Sequence, residues 1–341
     1  MRFLRGSAAG ATLVAVLGAV SPAHAQSTSG LGSRALGMGG AFTAVADDAS
    51  AVYWNPAGTA TGALASLVVD AAAHESAGLD DSRGAPVVRG SGTLVALTTP
   101  VIGFGYYRLA DSRLGPAEAN RFPSLLPETF RDGTSLVTDQ FLVTLAQTIV
   151  EKVHVGVAVK AVRGAAGAAL FVGQPGRDDP DGQLDAVEET RGPAQTTFDA
   201  DVGVMVDGGT FRLGLTARNL ASPEFASAAA LRAFELPRAV RAGVAVFPAE
   251  RVTLALDADL TAQERIDGRW RALAGGAEAW SPSRRFGVRG GVSVQTVGDA
   301  RPAASVGGTA TVWKGIALDG RVTAGADGAE RGWSVGARFT Y

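Results

Sequence analysis

Chemistry at neutral pH needs a nucleophile, a base or a set of metal ligands, and this chain is short of all three. It holds no cysteine and only three histidines, His24, His74 and His154. That excludes disulfides, thiolate metal sites and a cysteine nucleophile. No G-x-S-x-G elbow is present to seat a serine beside a histidine. The glycine-rich stretch GVMVDGG at 203–209 is not followed by a helical pattern, so it does not read as a phosphate cradle. The stretch RDDPDGQLDAVE at 177–188 places Asp179, Asp181, Gly182, Leu184, Asp185 and Glu188 at EF-hand positions three, five, six, eight, nine and twelve. Its first position is Arg177, which cannot ligate calcium, and a solvated acidic loop is the plainer reading. No catalytic, cofactor-binding or metal-binding residue is expected, and no enzyme.

What the chain does offer is a pattern of faces. Its 341 residues are 46% hydrophobic and 19% charged, with 31 Lys and Arg against 33 Asp and Glu. The balance leaves no basic footprint for nucleic acid. The apolar content is too high for a disordered chain. The 45 glycines are about twice ordinary usage, which suits tight turns and curved strands better than long helices.

Residues 1–25 carry a secretory pattern. Arg2 and Arg5 precede an apolar run from Ala11 to Val20, and Ala23-His24-Ala25 forms an A-x-A cleavage site. The run is too short for a membrane helix, and no other stretch of about 18 apolar residues follows. Beyond about residue 64 the apolar residues alternate. Val153, Val155, Val157 and Val159 oppose His154, Gly156, Ala158 and Lys160. Val202, Val204 and Val206 oppose Asp201, Gly203 and Met205, and Leu254, Leu256 and Leu260 oppose Asp257 and Asp259. Such strands approach the 9–11 residues that a tilted strand needs to cross a bilayer. Their polar faces mix small residues with both signs of charge, among them Arg212, Arg218, Arg241, Asp257, Asp259, Arg289, Arg321 and Arg338. A polar barrel interior with lipid outside fits that pattern. An ion-paired interior is its simplest meaning, since buried charge needs a partner.

About 14 strands can be placed, near 64–73, 87–98, 101–108, 137–149, 153–163, 196–206, 210–218, 238–247, 251–260, 270–280, 285–297, 302–313, 315–324 and 331–341. Every second connection is tight, and those near 109–136 and 164–195 are the longest. Short turns on one side and long loops on the other are the outer-membrane pattern. The expectation is an all-β transmembrane antiparallel barrel. Phe122, Leu125, Leu126 and Phe130 in the first long loop form an apolar cluster suited to contact.

Residues 30–60, GLGSRALGMGGAFTAVADDASAVYWNPAGTA, break the alternation. Asp47 or Asp48 can cap a short helix through Trp54, and Asn55-Pro56 can end it. Arg34, Gly37, Met38, Gly39, Gly40, Ala41, Phe42, Ala46, Asp47, Asp48, Ala49, Asn55, Pro56, Ala57 and Gly58 resemble the N-terminal signature of the FadL superfamily of outer-membrane barrels. LGLTARNL at 213–220, ELPRAVRAGVAV at 235–246, GGAEAW at 275–280 and FGVRGGV at 286–292 resemble its PorV/PorQ branch. The resemblance implies three parts: a signal peptide at 1–25, a luminal hatch at 26–63 and a barrel at 64–341. Gly37, Gly39, Gly40, Asp47, Asp48, Asn55, Pro56 and Ala57 would shape the hatch. Its two carboxylates would meet a wall arginine, with Arg212, Arg218, Arg241, Arg289 and Arg321 as the choices.

The resemblance places the protein in the bacterial outer membrane, in contact with its lipid. Passive transport of small hydrophobic compounds is the leading expectation. The alternative is a PorV-like module that binds or anchors exported proteins of a secretion system. The aromatic end at Phe339 and Tyr341 resembles last strands read by the barrel assembly machinery during biogenesis. Cleavage after Ala25 predicts that N-terminal sequencing of the exported protein begins Gln26-Ser27-Thr28; an intact Met1 on the membrane-inserted form would refute the signal assignment.

Overall fold

The computed structural model describes residues 23–24, 30–77, 86–119, 129–173, 179–227, 233–265, 268–297, 301–325 and 330–341. Nearly all of the expected signal peptide, and Phe122, Leu125 and Leu126, lie outside the described residues.

Fourteen antiparallel strands close into one barrel. They are β1 (Ser66–Ala77), β2 (Val87–Thr98), β3 (Ile102–Leu114), β4 (Thr129–Val150), β5 (Val153–Gly173), β6 (Gln195–Asp207) and β7 (Phe211–Arg218). The ring continues through β8 (Ala239–Ala249), β9 (Val252–Asp259), β10 (Ala272–Trp280), β11 (Phe286–Gln295), β12 (Pro302–Trp313), β13 (Ile316–Gly325) and β14 (Glu330–Thr340). Each strand pairs with the next in sequence, and β14 returns to β1 from Ser66 opposite Thr340 to Ser76 opposite Glu330. Full closure leaves no sheet edge, as backbone in a membrane requires. The described helices are short: α1 (Ser33–Gly37), α2 (Ala51–Trp54) and α3 (Pro180–Glu189). None is long and apolar enough to cross a membrane.

The alternation sets the two faces. Val204, Leu256 and Val292 stand outward and exposed, while Gly203, Met205 and Asp257 point into the lumen and are buried. Exposed aromatics ring the apolar band. Phe211, Phe286, Trp313, Phe339 and Tyr341 sit toward the short-turn end, and Phe141, Phe198 and Trp333 stand higher on their strands. Such girdles mark the two bilayer interfaces of a membrane barrel. Gly209 and Gly315 take positive φ in two of the short turns.

The expected strands all form, but three run much further than the sequence suggested. β3 extends to Leu114, β4 begins at Thr129 and β5 ends at Gly173, so segments taken as long loops are strand. The physical reason is that both faces of this extension lie beyond the bilayer. Its backbone bonds persist, but no lipid enforces apolar alternation there. Phe130 is therefore a strand residue, half-buried, opposite Val172.

The acidic 177–188 stretch also departs from expectation: its described part is a helix. Asp179 caps α3 by accepting the Gly182 N–H at 3.1 Å, and Leu184 and Val187 are buried beneath it. Asp185 pairs with Arg89 at 2.6 Å, and Glu188 accepts from Ser112 at 2.8 Å.

Val204, central in β6 between Val155 and Leu215, tests the outward face. Val204→Arg is expected to cost about 2–4 kcal/mol at mid-bilayer. Denaturant titration of the barrel folded into lipid vesicles measures it, and unchanged stability would mean this face does not meet lipid.

Candidate functional site: the filled lumen

A ring of fourteen strands encloses more space than its own side chains can fill. Here the space near the short-turn end holds residues 30–65. Leu31, Met38, Phe42, Ala44, Ala46 and Val52 are fully buried within it. The segment turns at Gly39 and Gly40, both at positive φ, where a side chain would be strained. Asp48 does not cap α2 as expected. It accepts instead from the Ser50 N–H at 3.0 Å and hydroxyl at 2.5 Å. Asn55 ends α2 and then caps the short 3-10 turn Pro56–Thr61, accepting the Ala57 N–H at 3.1 Å. Its amide donates to the Thr43 carbonyl at 2.9 Å and the Val204 carbonyl at 3.3 Å.

The wall meets this segment with glycine. A Cβ at Gly156 would strike the Pro56–Ala57 backbone, and one at Gly203 would strike the Asn55 side-chain oxygen. One at Gly214 would strike Thr43, and one at Gly276 or Gly291 would strike Met38. The high glycine count thus serves close approach of plug to wall as well as turns.

Wall carboxylates satisfy plug backbone groups that have lost water. Asp70 accepts from Gly32 N–H at 3.2 Å, Ser33 N–H at 2.7 Å and Ser33 hydroxyl at 2.5 Å. Asp257 accepts from Phe42 N–H at 3.0 Å and Thr43 N–H at 2.9 Å. Arg241 holds Asp257 at 3.0 Å and Asp259 at 2.7 Å, and it donates to the Gly40 carbonyl at 2.9 Å.

A second cluster centres on Arg34, which pairs with Asp47, with Asp48 at 3.2 Å and with Glu278 of the wall at 2.7 Å. Arg338 of β14 reaches Asp48 at 3.2 Å and Asp319 at 3.7 Å. Arg289 joins Asp319 at 3.0 Å and Glu278 at 3.6 Å.

None of the five arginines expected to meet Asp47 or Asp48 does so; the wall partner is Arg338. Its place on the polar face of the last strand was visible in the alternation. Its role as partner depends on how the plug rotates within the ring. Arg34 supplies the other contact from within the plug itself. Of the expected five, Arg212 pairs with Asp207 at 3.1 Å, and Arg321 donates to the Ser334 hydroxyl at 3.2 Å and to Thr323. Arg218 stacks 3.9 Å above the Tyr53 ring.

Burial pushes the Asp48 carboxyl up, but Arg34, Arg338 and the Ser50 hydrogen bonds outweigh it and hold it at about 2. A depressed carboxyl contributes fully above its ordinary value of 3.8 and loses that contribution as pH falls through about 2.

Above the plug lies a cavity of about 1540 Å³, counting its open mouth. Tyr53, Trp54 and Leu36 border it from the plug, and Arg218, Arg241 and Trp270 from around it.

Arg338→Gln should free Asp48 from the wall and raise single-channel conductance in planar bilayers several-fold. Asp47→Ala should change little, because Asp47 is partly exposed and, among the described residues, pairs with Arg34 inside the plug. Equal conductance in wild type and Arg338→Gln, with both barrels folded, would mean the pair does not hold the plug. The effect of Arg338→Gln relative to wild type should be the same at pH 8 and at pH 4, since Asp48 protonates well below that range; an effect that disappears by pH 4 would mean the pair is not what holds the plug.

Residues 129–259 match the family described as the TraF protein of the F plasmid transfer operon. No curated protein matches the sequence. Among solved structures, the CymD monoaromatic hydrocarbon channel is similar with a TM-score of 0.63 at 12% identity, over 92% of this chain and 98% of that one. The toluene transporter TodX of Pseudomonas putida gives 0.58 at 13% identity, over 93% of this chain and 98% of that one. A FadL homologue of Pseudomonas aeruginosa gives 0.53 at 11% identity, over 94% and 99%. Over more than nine-tenths of its length, this chain has the fold of the FadL-type hydrocarbon channels.

Proposed function

We propose that this protein sits in the bacterial outer membrane and passes small hydrophobic compounds inward without energy input. The observation that carries this reading is the cavity above the plug, bordered by Tyr53, Trp54, Leu36 and Trp270 and open away from the short turns. In the outer-membrane arrangement the short turns face the periplasm and the cavity faces outside. Concave, partly aromatic space with a few fixed polar groups is how proteins hold small ligands. The chain's fold is shared with channels named for monoaromatic hydrocarbons and toluene, which agrees with this reading.

Residues 30–65 act as the gate. The floor of the cavity is plug, so a ligand can leave toward the periplasm only if the plug yields. The points to loosen are polar: Asp48 with Arg338, Arg34 with Glu278, Gly40 with Arg241, and the plug N–H groups held by Asp70 and Asp257. The loop of the expected apolar contacts joins β3 to β4 at the end away from the short turns, the side from which ligands would arrive. A role in anchoring exported proteins gains nothing from the similar structures above, which are channels.

The test is uptake of a toluene-sized probe by cells whose only such channel is this protein. Uptake should rise several-fold over cells without it, be unaffected by an uncoupler, and rise further with Arg338→Gln. No gain from either folded protein would sink the transport reading.

A further inference from the structure

The charges inside the barrel are not all treated alike. Arg34, Arg241, Arg289 and Arg338 each lie within 4.0 Å of at least one carboxylate. Lys160, fully buried, is held by Asp199 at 2.9 Å, Asp201 at 2.8 Å and the Asn219 side-chain oxygen at 2.9 Å. Arg218 differs. It borders the cavity with its guanidinium against the Tyr53 ring, and its buried Nε has no hydrogen-bond acceptor.

The nearest acids are already engaged. Asp201 Oδ1 pairs with Lys160 and accepts from the Asn219 N–H at 2.8 Å, and Asp199 pairs with Lys160 through one oxygen and accepts from the Ala221 N–H at 2.9 Å through the other. A guanidinium that faces a cavity without a carboxylate partner is a seat for an anion. Guanidinium binds a carboxylate by two parallel N–H···O bonds. In the same cavity, Trp54 and Leu36 offer an apolar surface of the kind that receives a ring.

We propose that the cavity binds small aromatic carboxylates, with the carboxylate on Arg218 and the ring against Trp54 and Leu36. The inference rests on the transport reading and adds charge to it: the favoured cargo is the acid, not the neutral hydrocarbon.

The proposal is tested by quenching of tryptophan fluorescence in the purified barrel, since Trp54 and Trp270 both border the cavity. Benzoate and benzyl alcohol are titrated side by side. Benzoate should bind about tenfold more tightly. Arg218→Gln should remove that advantage, bringing benzoate down to the level of benzyl alcohol measured on the same variant, while Arg218→Lys, which keeps the charge but not the fork, should retain part of it. If Arg218→Gln fails to fold, the wild-type comparison of the two probes decides alone. Equal binding of acid and alcohol, or a benzoate preference that survives Arg218→Gln, overturns the carboxylate proposal and leaves the transport reading standing. Binding and uptake of neither probe overturns both.

Discussion

The width of the barrel is the constraint from which the rest follows. Small barrels of about eight strands can be filled by their own inward side chains. Fourteen strands cannot, so the lumen must be a water-filled channel or be filled by another part of the chain. Here residues 30–65 fill it near the short-turn end, and that choice dictates the chemistry of the inner wall. The filler is irregular backbone, and irregular backbone at membrane depth survives only where protein or water satisfies its polar groups. Asp70 and Asp257 do this for four N–H groups of the plug, and glycines such as Gly203 and Gly291 let it come close enough.

The same constraint accounts for the distribution of charge. Interior carboxylates must meet cations, and most cations here meet two acids or one acid and a plug carbonyl. Arg241 joins both functions, because it steadies Asp257 while holding Gly40. Arg34 and Arg338 bracket Asp48 from the plug and the wall. A buried pair adds modest net stability but costs much to break on one side. Such contacts therefore define one seated position of the plug more than they deepen it. Polar contacts fix the seat, and apolar and glycine surfaces fill the space between them.

Above the seat the barrel divides its remaining space. The segment after β7 places Phe225, Phe234 and Leu236 against Leu136, Val162 and Ala166, a small apolar core of its own. Lys160 and its acids tie the start of that segment down through Asn219 and Ala221. What stays open is the cavity with Tyr53 and Trp54 beneath it. Function thus rests on the same residues as folding: the plug that closes the barrel is also the floor on which a ligand would rest.

Strand number, strand order and the facing of each side chain were legible in the sequence. Alternation has a period of two, and lipid enforces it residue by residue, so Val204 outward and Gly203 inward could be read directly. The chemistry of the plug was legible as composition only: Asp47 and Asp48 among aromatics must find cations. Which cation was not legible. Arg338 lies 290 residues from Asp48 and meets it only because closure brings β14 beside β1 and the plug seats at one rotation inside the ring. The lengths of β3, β4 and β5 were missed because beyond the bilayer no apolar period marks a strand. The purpose of the wall glycines was missed because a close approach involves two partners, and sequence shows one at a time. Local forces act between near neighbours or between a residue and its solvent, and these the sequence records. Contacts across a closed ring exist only once the ring has formed.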